Sequence, residues 1–444
     1  MNKEFHKKQN FFSFSDIDSE RKDRIMKFTS TEATPAPHVP PGVLRLTGAA
    51  KEDIPMYRIQ TMNKISPVGL NRFPSELYEV GDVVQDPQGI LVRSAKLLDL
   101  EFNPSLLAIA RAGVGVNNIP LDRCAAAGIP VFSTPGANAN AVKELVICAM
   151  LMGSRDIPGA IRWVREQAAS GVDVSTVVEK GKSAFIGPEL YKKTLGIIGL
   201  GAIGSIVANT AISLGMDVYG YDPFLSVDTA LRLDRHVHVV KDINDLYKRS
   251  DYITMHIHYT EKTAHMIDAD AIAAMKRGVR VINLARGEIV DDEAMLTALD
   301  TGMVAAYITD FPNNRLLTAP HVIAMPHLGA STPESEQNCA AMAVDTLRDY
   351  LESGNIRSSV NLPEMTMDRS GVQRLCVLHK NVPGMLANIT SLFGRDGVNV
   401  ENLSNKSRGD YAYTMVDLGS KVGDNVIEDV RRTANVIRVR SLEW

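Results

Sequence analysis

The sequence predicts an α/β protein of two doubly wound parallel sheets, joined to a smaller α+β module at its C-terminal end. Three observations carry this. A short apolar run breaks into Gly199-x-Gly201-x-x-Gly204, then a small-residue helical stretch, Ile206 to Leu214, is closed by Gly215 and followed by the strand Asp217 to Asp222. Apolar segments of strand length recur before and after this unit, separated by helical lengths of chain. Residues 371–444 change to a β-α-β-β-α-β pattern, that of a compact ferredoxin-like module.

The glycine unit reads as strand, tight turn and helix start. Free backbone angles suit the turn, a missing side chain lets a pyrophosphate approach the main chain, and close helix packing needs the third glycine. Ala202 and Ile203 open the helix on which the phosphates would sit. Asp222 follows at about the 20-residue spacing at which an acid meets a ribose 2′-hydroxyl. Pro223 follows it and no arginine does, which favours NAD over NADP.

At 444 residues the chain is long enough for two or three domains. Its composition, 45% hydrophobic and 23% charged with net charge -4, leaves no electrostatic footprint for nucleic acid or a membrane surface. Cys124, Cys148, Cys339 and Cys376 lack CxxC or metal-ligand spacing, which points to reduced thiols in a cytoplasmic protein and to no metal. Residues 1–54 mix charges with Pro35, Pro37, Pro40 and Pro41 without a hydrophobic period, so a disordered tail is expected there. The tail has no secretory apolar core, and Met56, opening the first patterned segment, is a candidate alternative start.

From Met56 the expected strands are Tyr57-Arg-Ile-Gln, Gly89-Ile-Leu-Val-Arg, Leu107-Ala-Ile-Ala-Arg and Ile129-Pro-Val-Phe. One long helix is expected over 153–171. After the glycine unit, strands recur at Val237, Tyr252, Val279, Val304 and Val322. A long helix from Pro333 stops near Gly354, and 358–371 reads as a linker.

Two polar clusters stand at strand ends, where open α/β sheets bind ligands: Asn283-Leu-Ala285-Arg286-Gly287 and Pro326-His327-Leu-Gly329-Ala-Ser331. An arginine there can grip a carboxylate in a bidentate fork, and a histidine can take an alcohol proton as hydride leaves the carbon. Either alone is as often structural. Together with a dinucleotide fold they indicate hydride transfer on a hydroxy acid.

With Leu91-Val-Arg93-Ser94-Ala95, Ala110-Arg-Ala-Gly-Val-Gly115-Val-Asn117-Asn-Ile-Pro120 and Thr134-Pro-Gly-Ala-Asn-Ala-Asn-Ala-Val-Lys-Glu-Leu145, the chain from Met56 onward resembles the D-isomer-specific 2-hydroxyacid dehydrogenases, those carrying a C-terminal ACT domain. The resemblance implies two Rossmann-like domains: a discontinuous substrate domain (55–150 and 328–360) with the NAD domain (151–327) inserted, then an ACT domain (371–444). It implies oxidation of 3-phosphoglycerate to 3-phosphohydroxypyruvate, the first step of serine synthesis, by a homodimer or homotetramer. Another 2-hydroxyacid substrate, or an NADH-sensing role without turnover, are the competing readings.

In that reading Arg93 and Ser94 hold the phosphate, while Gly115 to Asn117 and Arg286 hold the carboxylate. His327 is the acid/base, and Asp310 faces the nicotinamide amide. Gly199, Gly201, Ala202, Ile203, Gly204, Asp222, His256, Ala285 and Gly329 line the cofactor. His379, Asn381 and Asn399 resemble a site for L-serine across a module dimer.

One departure stands out: the family's catalytic glutamate is expected after Asp310, and the ungapped match is Arg315. A carboxylate beside a histidine stabilises its protonated form, and an arginine does the reverse. Glu334, Glu336 or Asp292 could substitute, the loop could turn Arg315 to solvent, or turnover could be impaired. His258 also stands where the family has proline.

Overall fold

The computed structural model describes residues 56–444; the tail expected over 1–54 lies outside them. The first sheet is parallel. Its strands are β1 (Tyr57–Met62), β2 (Tyr78–Gly81), β3 (Gly89–Val92), β4 (Ala108–Arg111) and β5 (Val131–Phe132), in the order β2-β1-β3-β4-β5. β3, Gly-Ile-Leu-Val, is buried at every position, as a parallel strand covered on both faces must be. β2 was not among the expected strands, because its four residues, Tyr-Glu-Val-Gly, hold only two apolar side chains and bury only Tyr78 fully, too short a run to make a pattern.

The chain crosses to the second sheet through α1 (Ala139–Arg155), whose Val142, Val146, Ala149 and Met150 join that sheet's core. The single helix expected over 153–171 is broken. Asp156 takes a left-handed backbone (φ 41°), ends α1 and caps α2 (Ile157–Ala169) by accepting the Gly159 N–H; α3 (Val174–Gly181) then packs on α2. Neither α2 nor α3 buries a residue. Trp163 lies so close to Gly181 that a Cβ there would sit 2.2 Å from the indole, so the pair packs chiefly on itself.

The second sheet comprises β6 (Thr194–Ile198), then α4 (Ala202–Ser213), β7 (Asp217–Tyr221), β8 (Val237–Val240), β9 (Tyr252–Met255), β10 (Val279–Asn283), α5 (Asp292–Asp300), β11 (Val304–Thr309) and β12 (Val322–Ala324). All seven strands are parallel, in the order β12-β11-β10-β9-β6-β7-β8. The order reverses between β6 and β9, which opens a crevice at their C-terminal ends.

α6 (Pro333–Ser353) returns to the first sheet and packs Cys339, Ala340, Ala343, Val344 and Leu347 with Ile59 and Leu91. The segment expected as a linker is packed, not free: Ser359 bridges to Phe132, Met365 to Ile356, and Leu362 and Met365 are buried. Apolar residues spaced too irregularly for helix or strand concealed this in the sequence.

The C-terminal module has the expected element order: β13 (Gln373–Lys380), α7 (Met385–Arg395), β14 (Val400–Arg408), β15 (Tyr411–Leu418), α8 (Asp424–Arg432) and β16 (Val436–Glu443). Its antiparallel sheet runs β14-β15-β13-β16. The helices cover one face, through Leu375, Val377, Phe393 and Val430. Alternate residues Cys376 and Leu378, with Tyr413 and Met415, pack the other face into the core of the first sheet.

Hydrogen bonds complete this docking. Arg440 donates to the carbonyls of Tyr350 and Leu351, Arg369 to Glu352, Arg374 to Ser353 and the Tyr413 hydroxyl to Gly354. Apart from that of Tyr350, which also accepts the Gly354 N–H, these are the carbonyls a helix C-terminus leaves without intrahelical partners. Arg374 is fully buried and grips Asp417 at 2.5 and 2.7 Å.

Candidate active site

The glycine turn after β6 is shaped by close contacts. Gly199 has φ 91°, and a Cβ there would lie 2.6 Å from the His256 carbonyl oxygen. At Gly204 it would lie 1.9 Å from the Gly199 carbonyl oxygen, so α4 sits directly on the turn. At Gly201, where Ala202 and Ile203 begin α4, a Cβ would meet nothing within 4 Å. The turn is therefore crowded behind and open in front. Asp222, at the end of β7, accepts the Leu200 N–H at 2.9 Å and the Phe224 N–H at 2.8 Å, which fixes its carboxylate beside the turn. His256 ends β9; its Nε2 lies 3.2 Å from the Thr254 hydroxyl, and burial pushes the imidazole down to about 4. His258 is exposed and joins no metal-binding group among the described residues.

The turn after β10 is built by Asn283, which is fully buried. Its Oδ1 accepts the Ala285 N–H and its Nδ2 donates to the Arg286 carbonyl at 2.8 Å. Arg286 emerges over the ring of Phe311, its guanidinium carbon 5.7 Å from the ring centre. The ring of Phe311 lies 4.7 Å from that of His327. Phe311 thus spaces the arginine from the histidine.

From the first sheet, Arg111 reaches the same place. A Cβ built at Gly115 would lie 3.0 Å from Arg111 Nη1, 3.3 Å from Arg286 Nη2 and 3.9 Å from Asn117 Oδ1. Neither guanidinium has a carboxylate partner among the described residues; Arg111 Nε donates to the Arg93 carbonyl and Arg286 Nη1 to the Ala285 carbonyl. Burial first, then Arg286 and Arg93, hold the Arg111 guanidinium below its ordinary range. Arg93 itself, just past β3, pairs with Glu336 in the first turn of α6 at 2.5 Å. The Ser94 N–H donates to Asn63 Oδ1, which shapes the loop. Three cationic groups, at the ends of β3, β4 and β10, form an anion-holding cleft.

Asp310 ends β11 and is 1% exposed. Its Oδ2 accepts the Gly329 N–H at 3.2 Å, while Oδ1 is buried without a hydrogen-bond partner. Burial holds its carboxyl above the usual range, opposed by His327 and by the backbone N–H groups of Gly329 and Leu328. Asp310 and His327 open on a cleft of about 810 Å³ that Asn313 and Arg315 also line. Arg315 turns outward: it is 59% exposed and pairs with Glu293 of α5 at 2.8 Å. Asn313 holds Asp292. Of the carboxylates considered as substitutes for the missing glutamate, Asp292 and Glu336 are thus engaged elsewhere, and Asp310 is the acid that His327 stabilises.

One chain does not bring His379, Asn381 and Asn399 together. His379 and Asn381 lie at one end of β13 and Asn399 precedes β14 at the other, about 20 Å away along the sheet. His379 is buried, with Nδ1 at the Lys380 carbonyl and Nε2 at the Thr414 hydroxyl, both 2.8 Å. Arg111 and Phe311 were given no part in the sequence reading, and Asn283 appeared there only as a member of a polar cluster, without a role. Arg111 had a signal, a charge directly after an apolar strand, as at Arg93.

A glycine turn at the switch point of a parallel sheet, facing guanidinium groups and a histidine, defines a nucleotide-binding α/β protein with an anion-holding cleft. Residues 147–329 match the model of the D-isomer specific 2-hydroxyacid dehydrogenase NAD binding domain. Over 379 residues the chain is 31% identical to the D-3-phosphoglycerate dehydrogenase of Haemophilus influenzae, covering 82% of this chain and 88% of that protein. It is 36% identical over 326 residues to the D-3-phosphoglycerate dehydrogenase of Synechocystis, covering 71% of this chain. The chain spans only 55–60% of the length of the Synechocystis protein and two further curated relatives. Among solved structures, NAD+-bound 3-phosphoglycerate dehydrogenase of Entamoeba histolytica superposes with TM-score 0.54 at 26% identity, over 69% of this chain and 99% of that one. The chain belongs to the D-isomer specific 2-hydroxyacid dehydrogenase family and carries its NAD-binding domain.

Proposed function

We propose that the protein oxidises 3-phosphoglycerate to 3-phosphohydroxypyruvate with NAD. The observation that carries this reading is the convergence of unpaired Arg111 and Arg286 on Gly115, with Arg93 beside them and His327 across Phe311. Arg286 and Arg111 hold the substrate carboxylate with the Gly115 backbone and the Asn117 amide, and Arg93 and Ser94 take the phosphate. His327 removes the hydroxyl proton. Bound NAD supplies the hydride acceptor. The residues fit it: Gly201 leaves room for a pyrophosphate, and the orphaned Asp310 Oδ1 can accept a nicotinamide amide N–H. Asp222 stands where a ribose would bind. Residues 55–150 with 328–360, and 151–327, are read as the substrate and NAD domains.

The test is NAD reduction with 3-phosphoglycerate. His327→Ala is expected to slow turnover by roughly 10²–10⁴. A wild-type protein that binds NADH and turns over no 3-phosphoglycerate overturns the reading.

The C-terminal module is read as an ACT domain that takes L-serine between two copies, since Asn381 and Asn399 are exposed at opposite sheet ends and His379 is enclosed. Millimolar serine is expected to lower activity and raise the melting temperature; no change in either counts against it. A homo-oligomer is supported by the uncovered α2 and α3. A cytoplasmic setting is supported by four free thiols, three of them buried.

A further inference from the structure

Three guanidinium groups crowd one cleft, yet among the described residues only Arg93 has a carboxylate partner. Its Nη2 meets Glu336 Oε1 at 2.5 Å, with both side chains nearly half exposed. We infer that Glu336 is a resident counter-ion for Arg93, exchanged for the anionic tail of the substrate, so that it sets how tightly that tail is held. The inference rests on the proposed reading that Arg93 takes a phosphate.

The exchange is favourable for physical reasons on both sides. An exposed single-contact ion pair is weak, whereas a phosphate brings up to two charges and three acceptor oxygens. Glu336, once released, stays in the first turn of α6, where the helix dipole favours a carboxylate. That turn is fixed by Thr332, whose hydroxyl accepts the Ser335 N–H, and by buried Cys339 and Ala340, so the acid cannot leave the neighbourhood. It returns to Arg93 as the product departs. With no anion present it keeps one guanidinium compensated beside two that are not. An uncharged tail has nothing to exchange and leaves the pair closed.

The test uses the full chain and inorganic phosphate, titrated by ³¹P NMR, alongside steady-state kinetics. Glu336→Gln is expected to bind phosphate roughly three- to tenfold more tightly and to lower KM for 3-phosphoglycerate by the same factor. KM for a hydroxy acid with an uncharged tail, D-lactate, should not move. In an Arg93→Ala background the Glu336→Gln effect on phosphate should vanish. Phosphate binding that weakens or stays unchanged in Glu336→Gln overturns the inference, since Glu336 would then merely hold Arg93 in place. The titration needs no turnover, so failure of 3-phosphoglycerate oxidation by the wild type refutes the proposed function and leaves this result readable.

Discussion

Arg315 takes the ungapped position of a glutamate expected to pair with His327, and its guanidinium goes instead to Glu293. Arg315→Ala is therefore expected to leave the pH-rate profile unmoved; a displaced limb would mean that it acts on His327 after all. Asp310 behaves differently. Burial raises its carboxyl above 3.8, so on acidification it gains a proton, and loses the negative charge that strengthens its acceptor, at a higher pH than an exposed aspartate does. NADH affinity should fall as that proton binds. Asp310→Asn should weaken NADH roughly tenfold at pH 7 and flatten this dependence, as fluorescence titration would register. His256 carries a stability effect of defined sign. Its folded value of about 4 lies below the ordinary 6.5, so the unfolded chain binds the extra proton. The stability is fully present above pH 6.5 and about 3 kcal/mol of it is lost on descending to pH 4. His256→Gln should lose less over that range in urea unfolding. Arg93 directly after β3, and Arg286 and His327 three residues beyond β10 and β12, stood out as candidates because charge or imidazole near the end of an apolar strand is a local signal. The turn-building role of Asn283 and the placement of Phe311 were not legible, since they depend on turns that join distant strands.

At the scale of elements, the period of apolar residues made eleven of the twelve strands of the two parallel sheets visible, and the change to β-α-β-β-α-β marked the module. What escaped was set by single backbone conformations or by tertiary contact. Asp156, left-handed and capping, splits one amphipathic stretch into α1 and α2. Leu362 and Met365 bury a segment whose spacing reads as loop. The α2–α3 pair buries none of its residues, and Ile161 and Val164 remain exposed on it. Such a stripe is expected to meet a second copy. Ile161→Glu with Val164→Glu should shift the protein toward monomer in sedimentation; an unchanged mass would remove α2 from the interface.

For the molecule as a whole, the C-terminal module behaves as part of the core. Its sheet is covered by its own helices on one face and by the first sheet's cluster on the other, and its arginines satisfy the last carbonyls of α6. Removing Arg374 would leave Asp417 as an uncompensated buried charge, a loss of about 3–5 kcal/mol. Arg374→Ala should therefore lower the denaturation midpoint of a single transition, with no separate unfolding of the module.

The clasp at the end of α6 has a further consequence for a cut chain. A protease that nicked the backbone within 358–371 would sever the only covalent path from α6 to β13, yet the two fragments would still share one apolar core and the same arginine-to-carbonyl bonds. They should co-elute as a native-like nicked complex and separate only in denaturant. By the same reasoning, a gene shortened at residue 371 would yield an insoluble remnant, not a working enzyme freed of its appendage.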